Sequence, residues 1–285
     1  MPAATEADVL TELSPADRKA LERARIQLEG QSFATRVAEL AGQPVDCLLG
    51  LMPKFATRGL NRAIEVAVLN CLKLAIRLTP NPQRPPGAKL ASLLVGLSGG
   101  VSGFFGFAGL PFELPVTTTL ILRAIAQTAR HNGEDLSKVE TRLACLEVFA
   151  LGAGQSPKRI DLGYFAARAV LSRLTEQASA LVIERGVASV STPIVARLLS
   201  AIVSRFGILV SQRFAAGALP AIGAVGGAAV NIAFMNHFQR IAQGHFTIRR
   251  LERRYGADVV RRHYQNLSLP RGVAAAPRVA AGIYN

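Results

Sequence analysis

Gly96-Leu97-Ser98-Gly99-Gly100 has the G-x-S-x-G spacing of a nucleophile elbow, where a strained strand-to-helix turn exposes a serine hydroxyl to a carbonyl substrate. Asp161, then His237 or His245, follow in the chain order such a hydrolase triad uses. The chemistry needs a multi-stranded parallel sheet behind the elbow, and only Ser92 to Gly96 could pass for a strand. A serine hydrolase using Ser98 therefore stands as an alternative reading. A chance match inside a glycine tract accounts for the same letters.

Glu113, between Pro111 and Pro115 at the edge of an apolar run, is the most conspicuous acid. A carboxylate beside apolar surroundings needs a partner or a raised pKa. One reading is an acid satisfied by the backbone N–H groups of a helix start, with Thr117 and Thr118 near the same terminus. The other pairs Glu113 with Arg123, or with Asn231 and His237, in a buried polar site. His237 and His245 are eight residues apart, without the tight spacing of a helical zinc motif, so no metal is expected. No G-x-x-x-x-G-K-[ST] loop occurs, and Gly103 to Gly109 lacks the strand and downstream acid of a dinucleotide site. No cofactor is expected. Cys47, Cys71 and Cys145 are scattered and read as small buried hydrophobes in a reducing compartment.

The third set is cationic. The 285 residues carry a formal charge of +14, and residues 240–285 hold nine arginines against two acids. Over Ile248 to Tyr255 the apolar Ile248, Leu251 and Tyr255 share one helical face, while Arg249, Arg250, Arg253 and Arg254 occupy the rest; Arg261 and Arg262 follow. A basic amphipathic helix of this kind can lie on anionic headgroups. The bland alternative is a solvated surface helix packing one stripe on the core. Nucleic-acid binding rests only on these arginines; tryptophan is absent and no helix-turn-helix or stacking platform is evident.

The elements that must position these residues read as helices. Ser14-Pro15-Ala16-Asp17 gives an N-cap, a proline at the first helical position and an acid in the first turn, opening a helix expected to reach Ala41 before Gly42. A second is expected from Pro53 to Leu78, with Ile64, Val68, Cys71, Leu72 and Ala75 on its buried face. Four prolines within 79–87 exclude both helix and central strand there. Further helices are expected up to Asn132 with Gly133 as the C-cap, from a Ser137 to Glu140 capping box to Gly152, from Pro157 to Val187, from Thr192-Pro193 to Gly217, and from Pro220 to Gly256. The fold class is all-α, a bundle of about eight helices.

Two stretches, Leu90 to Phe112 and Phe214 to Gln239, carry no charged residue and are crowded with glycine. They are long enough to span a bilayer, yet the 113–213 segment between them is itself net positive and gives no clean topology. Gly96-x-x-x-Gly100, Gly99-x-x-x-Gly103 and Gly223-x-x-x-Gly227 form smooth faces that suit helix against helix, so the pair is expected to form the bundle core.

The run Gly99-Gly100-Val101-Ser102-Gly103-Phe104-Phe105-Gly106-Phe107-Ala108-Gly109-Leu110-Pro111-Phe112-Glu113-Leu114-Pro115, continuing through Thr117 to Ala126, resembles the EcsC protein family. So does Pro220 to Asn231 running into Phe234, His237-Phe238 and His245-Phe246, and the similarity spans roughly residues 50–255. The resemblance implies a bacterial, membrane-associated accessory or interaction protein, with an ABC transporter as the implied partner. It supplies no catalytic residues. The position held here by Glu113 is one where aspartate is equally expected.

These readings give N-terminal helices with a proline-rich linker over 1–87, a helical domain over 88–267 and a tail over 268–285. The acidic N-terminal stretch lacks the pattern of a signal peptide. The expected protein is non-enzymatic and cytoplasmic, peripheral on the inner face of the membrane. Its expected partner is an anionic membrane surface or a membrane protein.

Overall fold

A computed structural model describes residues 12–41, 57–77, 110–152, 163–185, 192–217 and 223–267. Ser98, Asp161, Cys47, the proline-rich 79–87, the tail from 268 and the first uncharged run up to residue 109 lie outside the described residues, as does the side chain of Glu113. Among the described residues there are nine helices and no strand: α1 Pro15–Glu29, α2 Phe33–Ala41, α3 Thr57–Arg77, α4 Leu110–His131, α5 Val139–Leu151, α6 Tyr164–Arg185, α7 Pro193–Gly217, α8 Gly223–Tyr255 and α9 Ala257–Asn266. The fold is all-α.

Local chemistry sets most boundaries. The Ser14 hydroxyl accepts from the Asp17 amide at 3.2 Å and donates to the Asp17 carboxylate at 3.0 Å, fixing the start of α1. Two details differ from the sequence reading. The stretch from Pro15 to Ala41 is two helices, because Gly30 turns extended and Ser32 opens a new N-terminus by accepting from the Thr35 amide at 3.2 Å. Ser137 makes no capping box with Glu140; its amide and hydroxyl both donate to Asp135 Oδ1, at 2.9 and 2.6 Å, and α5 begins without a side-chain cap. A nearby aspartate out-competes the helix for the same hydroxyl.

The 33-residue α8 is the axle, in contact with α1, α2, α4, α5, α7 and α9. Its buried residues include Phe234, Met235, Phe238, Ile241, Ala242, Phe246, Ile248 and Leu251. Phe33 of α2, Phe149 of α5 and Phe206 of α7 meet Phe234 and Phe238 with ring centroids 5.0–6.2 Å apart, locking four helices into one aromatic knot. The helices α1–α3 share this core with the later ones. The predicted face of α3 is buried at Ile64, Val68, Cys71 and Leu72. Among the described residues one helix segment, Pro193–Arg213 in α7, is long and apolar enough to cross a membrane, with 33% of its window buried.

Among the described residues, α1 approaches α8 closely at a glycine. A Cβ on Gly244 of α8 would stand 2.9 Å from the Ala24 carbonyl oxygen and 2.8 Å from Leu28 Cγ, so α1 lies backbone-close against α8. Gly207 of α7 differs: its nearest neighbour would be Ile64 Cδ1 at 3.7 Å, ordinary contact. Gly244→Ala is therefore expected to destabilise the fold by about 1–2 kcal/mol, overpacking exceeding the gain in helix propensity. Gly207→Ala should stabilise it by up to about 1 kcal/mol. Urea unfolding of the two variants checks the pair; equal effects would remove the α1–α8 close approach.

Candidate functional site

Among the described residues, a dense polar cluster forms where the end of α4 meets the C-terminal half of α8. Two hydrogen bonds close α4: Gly133 N–H to Arg130 O at 2.9 Å, and Glu134 N–H to Ala129 O at 3.0 Å. This is a Schellman ending, and Gly133 takes the left-handed conformation it requires, with φ +78°. The residue that follows, usually an apolar contact onto the helix, is here Glu134, whose side chain is 4% exposed.

Glu134 is held by two arginines of α8. Arg249 donates from Nε to Oε1 at 2.9 Å and from Nη2 to Oε2 at 3.2 Å, and Arg253 pairs with Oε1 from above. Arg253 also donates to the Asn132 carbonyl at 2.7 Å, so one guanidinium ties both the carboxylate and the helix end. Burial raises the Glu134 pKa, but the hydrogen bonds and charges of Arg249 and Arg253 outweigh it and hold the carboxyl below 4.5. One turn along α8, Glu252 receives a bidentate pair from Arg168 of α6, at 2.8 and 2.7 Å.

Beneath these pairs the interior stays polar. Tyr164 Oη and His245 Nδ1 are 2.8 Å apart in full burial. Burial, then the charges of Arg168 and Arg249, keeps His245 well below 6.5 and neutral. Glu147 of α5 is 1% exposed and receives the Ser172 hydroxyl at 3.5 Å. Burial raises its carboxyl to about 7, against the opposing pull of Thr175, Arg249, Arg168 and Ser172. Above the pairs, Gly133, Glu134, Asp135, Lys138, Glu140, Thr141, Arg168, Arg249, Glu252 and Arg253 line an open cleft of about 400 Å³. Burial pushes the thiol of Cys145 up to about 12 and that of Cys71 to about 11, leaving both as inert packing groups.

The residues selected from sequence are distributed differently. Arg249 and Arg253 face the interior pair just described, and Arg254 reaches Asp17 at 3.1 Å while 67% exposed. Tyr255 donates to the same Asp17 carboxylate at 2.8 Å, so the start of α1 is tied to the end of α8. Arg250, Arg261 and Arg262 are exposed, with Arg261 5.9 Å from the centroid of the Phe165 ring. In the other group Thr117 and Thr118 are buried on α4, and the Thr118 hydroxyl turns back to Leu114 O at 2.7 Å. Arg123 is exposed. Asn231 accepts from Arg213 Nε at 2.6 Å, an arginine no motif marks. His237 Nε2 donates to the Gly152 carbonyl at 2.6 Å, and burial lowers its pKa to about 4. Thr118, Asn231 and His237 thus bond to three different places. Among the described residues no group of three His, Cys, Asp or Glu side chains is placed to hold a metal ion.

The family-model comparison is decisive: the EcsC protein family matches residues 85–251. The chain belongs to the EcsC protein family. No curated protein and no solved structure matches it. The EcsC segment spans α4 to α7 and most of α8, and contains Glu134, Glu147, Arg168, His245 and Arg249. It ends one residue before Glu252, so the second arginine–glutamate pair joins the matched segment to the residue that follows it.

Removing the Glu134 charge leaves Arg249 partly buried beside it without its partner, which costs about 3–5 kcal/mol when a buried pair is broken. Because the folded carboxyl titrates below its ordinary value, its contribution is complete above about pH 4.5 and lost as pH falls through the folded pKa. Glu134→Gln is therefore expected to lower stability strongly at pH 7 and to converge on the wild type in acid. Urea midpoints from pH 3 to pH 7 test this, and a constant offset across the range would contradict it.

Proposed function

We propose that this EcsC-family protein is a non-enzymatic, membrane-associated accessory protein that docks on anionic lipid through the corner between α8 and α9. The observation that carries the reading is a division among six arginines. Arg249, Arg253 and Arg254 are matched to buried carboxylates, whereas Arg250, Arg261 and Arg262 are exposed and form no ion pair among the described residues. Exposed Lys19 and Arg23 on α1, which packs beside α8 and α9, extend the same charge, while Arg18 pairs with Glu22. Guanidiniums outside the internal ion pairs, with Arg250 reaching Asp17 only through its charge, attract lipid phosphate at little structural cost. The apolar, one-third-buried window of α7 supplies a second surface suited to a bilayer or a membrane protein. In this role the protein works at the cytoplasmic face of the membrane, with an ABC transporter as the protein partner the family resemblance implies.

Sedimentation with phosphatidylglycerol-containing vesicles tests the reading. Each arginine near an anionic surface contributes about 1 kcal/mol, so Arg250→Gln/Arg261→Gln/Arg262→Gln is expected to weaken binding on the order of a hundredfold with only a small loss of Tm, from the Arg250 charge on Asp17 and the Arg261–Phe165 contact. Failure of the wild-type protein to sediment with anionic vesicles at low salt would overturn it.

A further inference from the structure

Glu147 is the one buried carboxyl of the cluster without a guanidinium of its own. It sits in the middle of α5, 1% exposed, with the Ser172 hydroxyl 3.5 Å away. Arg249 and Arg168 are the cations whose charge acts on it, and both are already taken, by Glu134 and Glu252. From α6 the groups that act on its carboxyl are Arg168, Ser172, Thr175 and Tyr164, and from α8 Arg249. Its own helix adds Cys145. α3 and α7 also pack against α5, where Phe206 meets Phe149.

We infer that Glu147 is a proton-controlled latch: neutral, it leaves both arginine–glutamate pairs closed, and ionised, it draws Arg168 and Arg249 inward and loosens the end of α8. Three guanidiniums, of Arg168, Arg249 and Arg253, serve Glu134 and Glu252 while Glu147 is neutral. A third carboxylate forming underneath competes for the same donors, in a setting where a buried charge needs a close partner. The groups pulled away line the 400 Å³ cleft, so the proton on Glu147 controls the wall of that cleft. The latch works near neutrality, because the folded carboxyl titrates at about 7 against an ordinary 4.5. Between those values the folded state holds a proton that the opened state releases, so opening becomes easier as pH rises and levels off above about 7. His245 and His237 are held neutral below this window and add nothing to it.

Amide hydrogen exchange over residues 245–255, corrected for the intrinsic pH dependence of exchange, reads the latch directly. Linkage over that pKa interval predicts an opening constant about tenfold larger at pH 8 than at pH 6. Glu147→Gln should abolish the pH dependence. Ser172→Ala, a milder change that removes a hydrogen bond to the ionised form, should keep it and move its midpoint upward. A pH-independent wild-type profile overturns the inference, as does a pH dependence that persists in Glu147→Gln. If that variant does not fold, an unmoved midpoint in Ser172→Ala overturns it.

Discussion

A carboxylate closed off from water between two guanidiniums fixes where helices can lie. Glu134 reaches that position because a Schellman turn places it immediately after α4, and Arg249 and Arg253 reach it because they stand one helical turn apart on α8. The three side chains set the register between α4 and α8. Arg168 and Glu252 then set α6 against α8 one layer away, and Asp17 with Arg254 and Tyr255 pins α1 at the far end. Each pair joins α8 to a different helix, so the terminal half of α8 is fixed on three sides by charge while its upstream half is fixed by phenylalanine.

That arrangement sorts the basic excess into two populations. Arginines whose neutralisation would strand a buried carboxylate are part of the fold, and their conversion to neutral residues disturbs structure before it disturbs any partner. Arginines free of internal carboxylates can meet an outside anion. The positive charge of residues 240–285 is therefore a mixture, and its net value overstates the surface available for binding. The same reasoning places Glu147 apart from Glu134: one carboxyl is stabilised in its charged form and the other in its neutral form, and they share the same arginines.

Much of the fold was legible because chain punctuation is local. Ser14, Gly133, Pro193 and Gly256 act within one turn of themselves, and each marks a helix boundary in the structure. The same locality explains the errors, since Ser32 offered a cap as good as Ser14 within what reads as a continuous helix, and Asp135 stood close enough to take Ser137. The buried stripe of Ile248 and Leu251 was legible from its period. The fate of the arginines beside it was not. At about 100° per residue Arg249 and Arg250 lie equally far from the stripe on opposite sides of it, and Arg253 lies most nearly opposite, so position on the helix does not show whether Arg249 turns toward the core. Whether it does so depends on Glu134, 115 residues away along the chain, and no periodicity reports that distance. The glycine-rich runs point to G-x-x-x-G faces; among the described residues, a backbone approach that a side chain would break is at Gly244, downstream of both runs. Family membership was legible from the composition and order of those runs, and the matched segment confirms it.

Arg249 is a structural partner of Glu134 rather than a surface cation. A double-mutant cycle between Glu134→Gln and Arg249→Gln, measured by urea unfolding at pH 7, isolates their coupling. A coupling of about 2 kcal/mol or more is the expected result, the size of a buried, bidentate pair. A coupling within about 0.5 kcal/mol of zero, the level of an exposed ion pair, would contradict it.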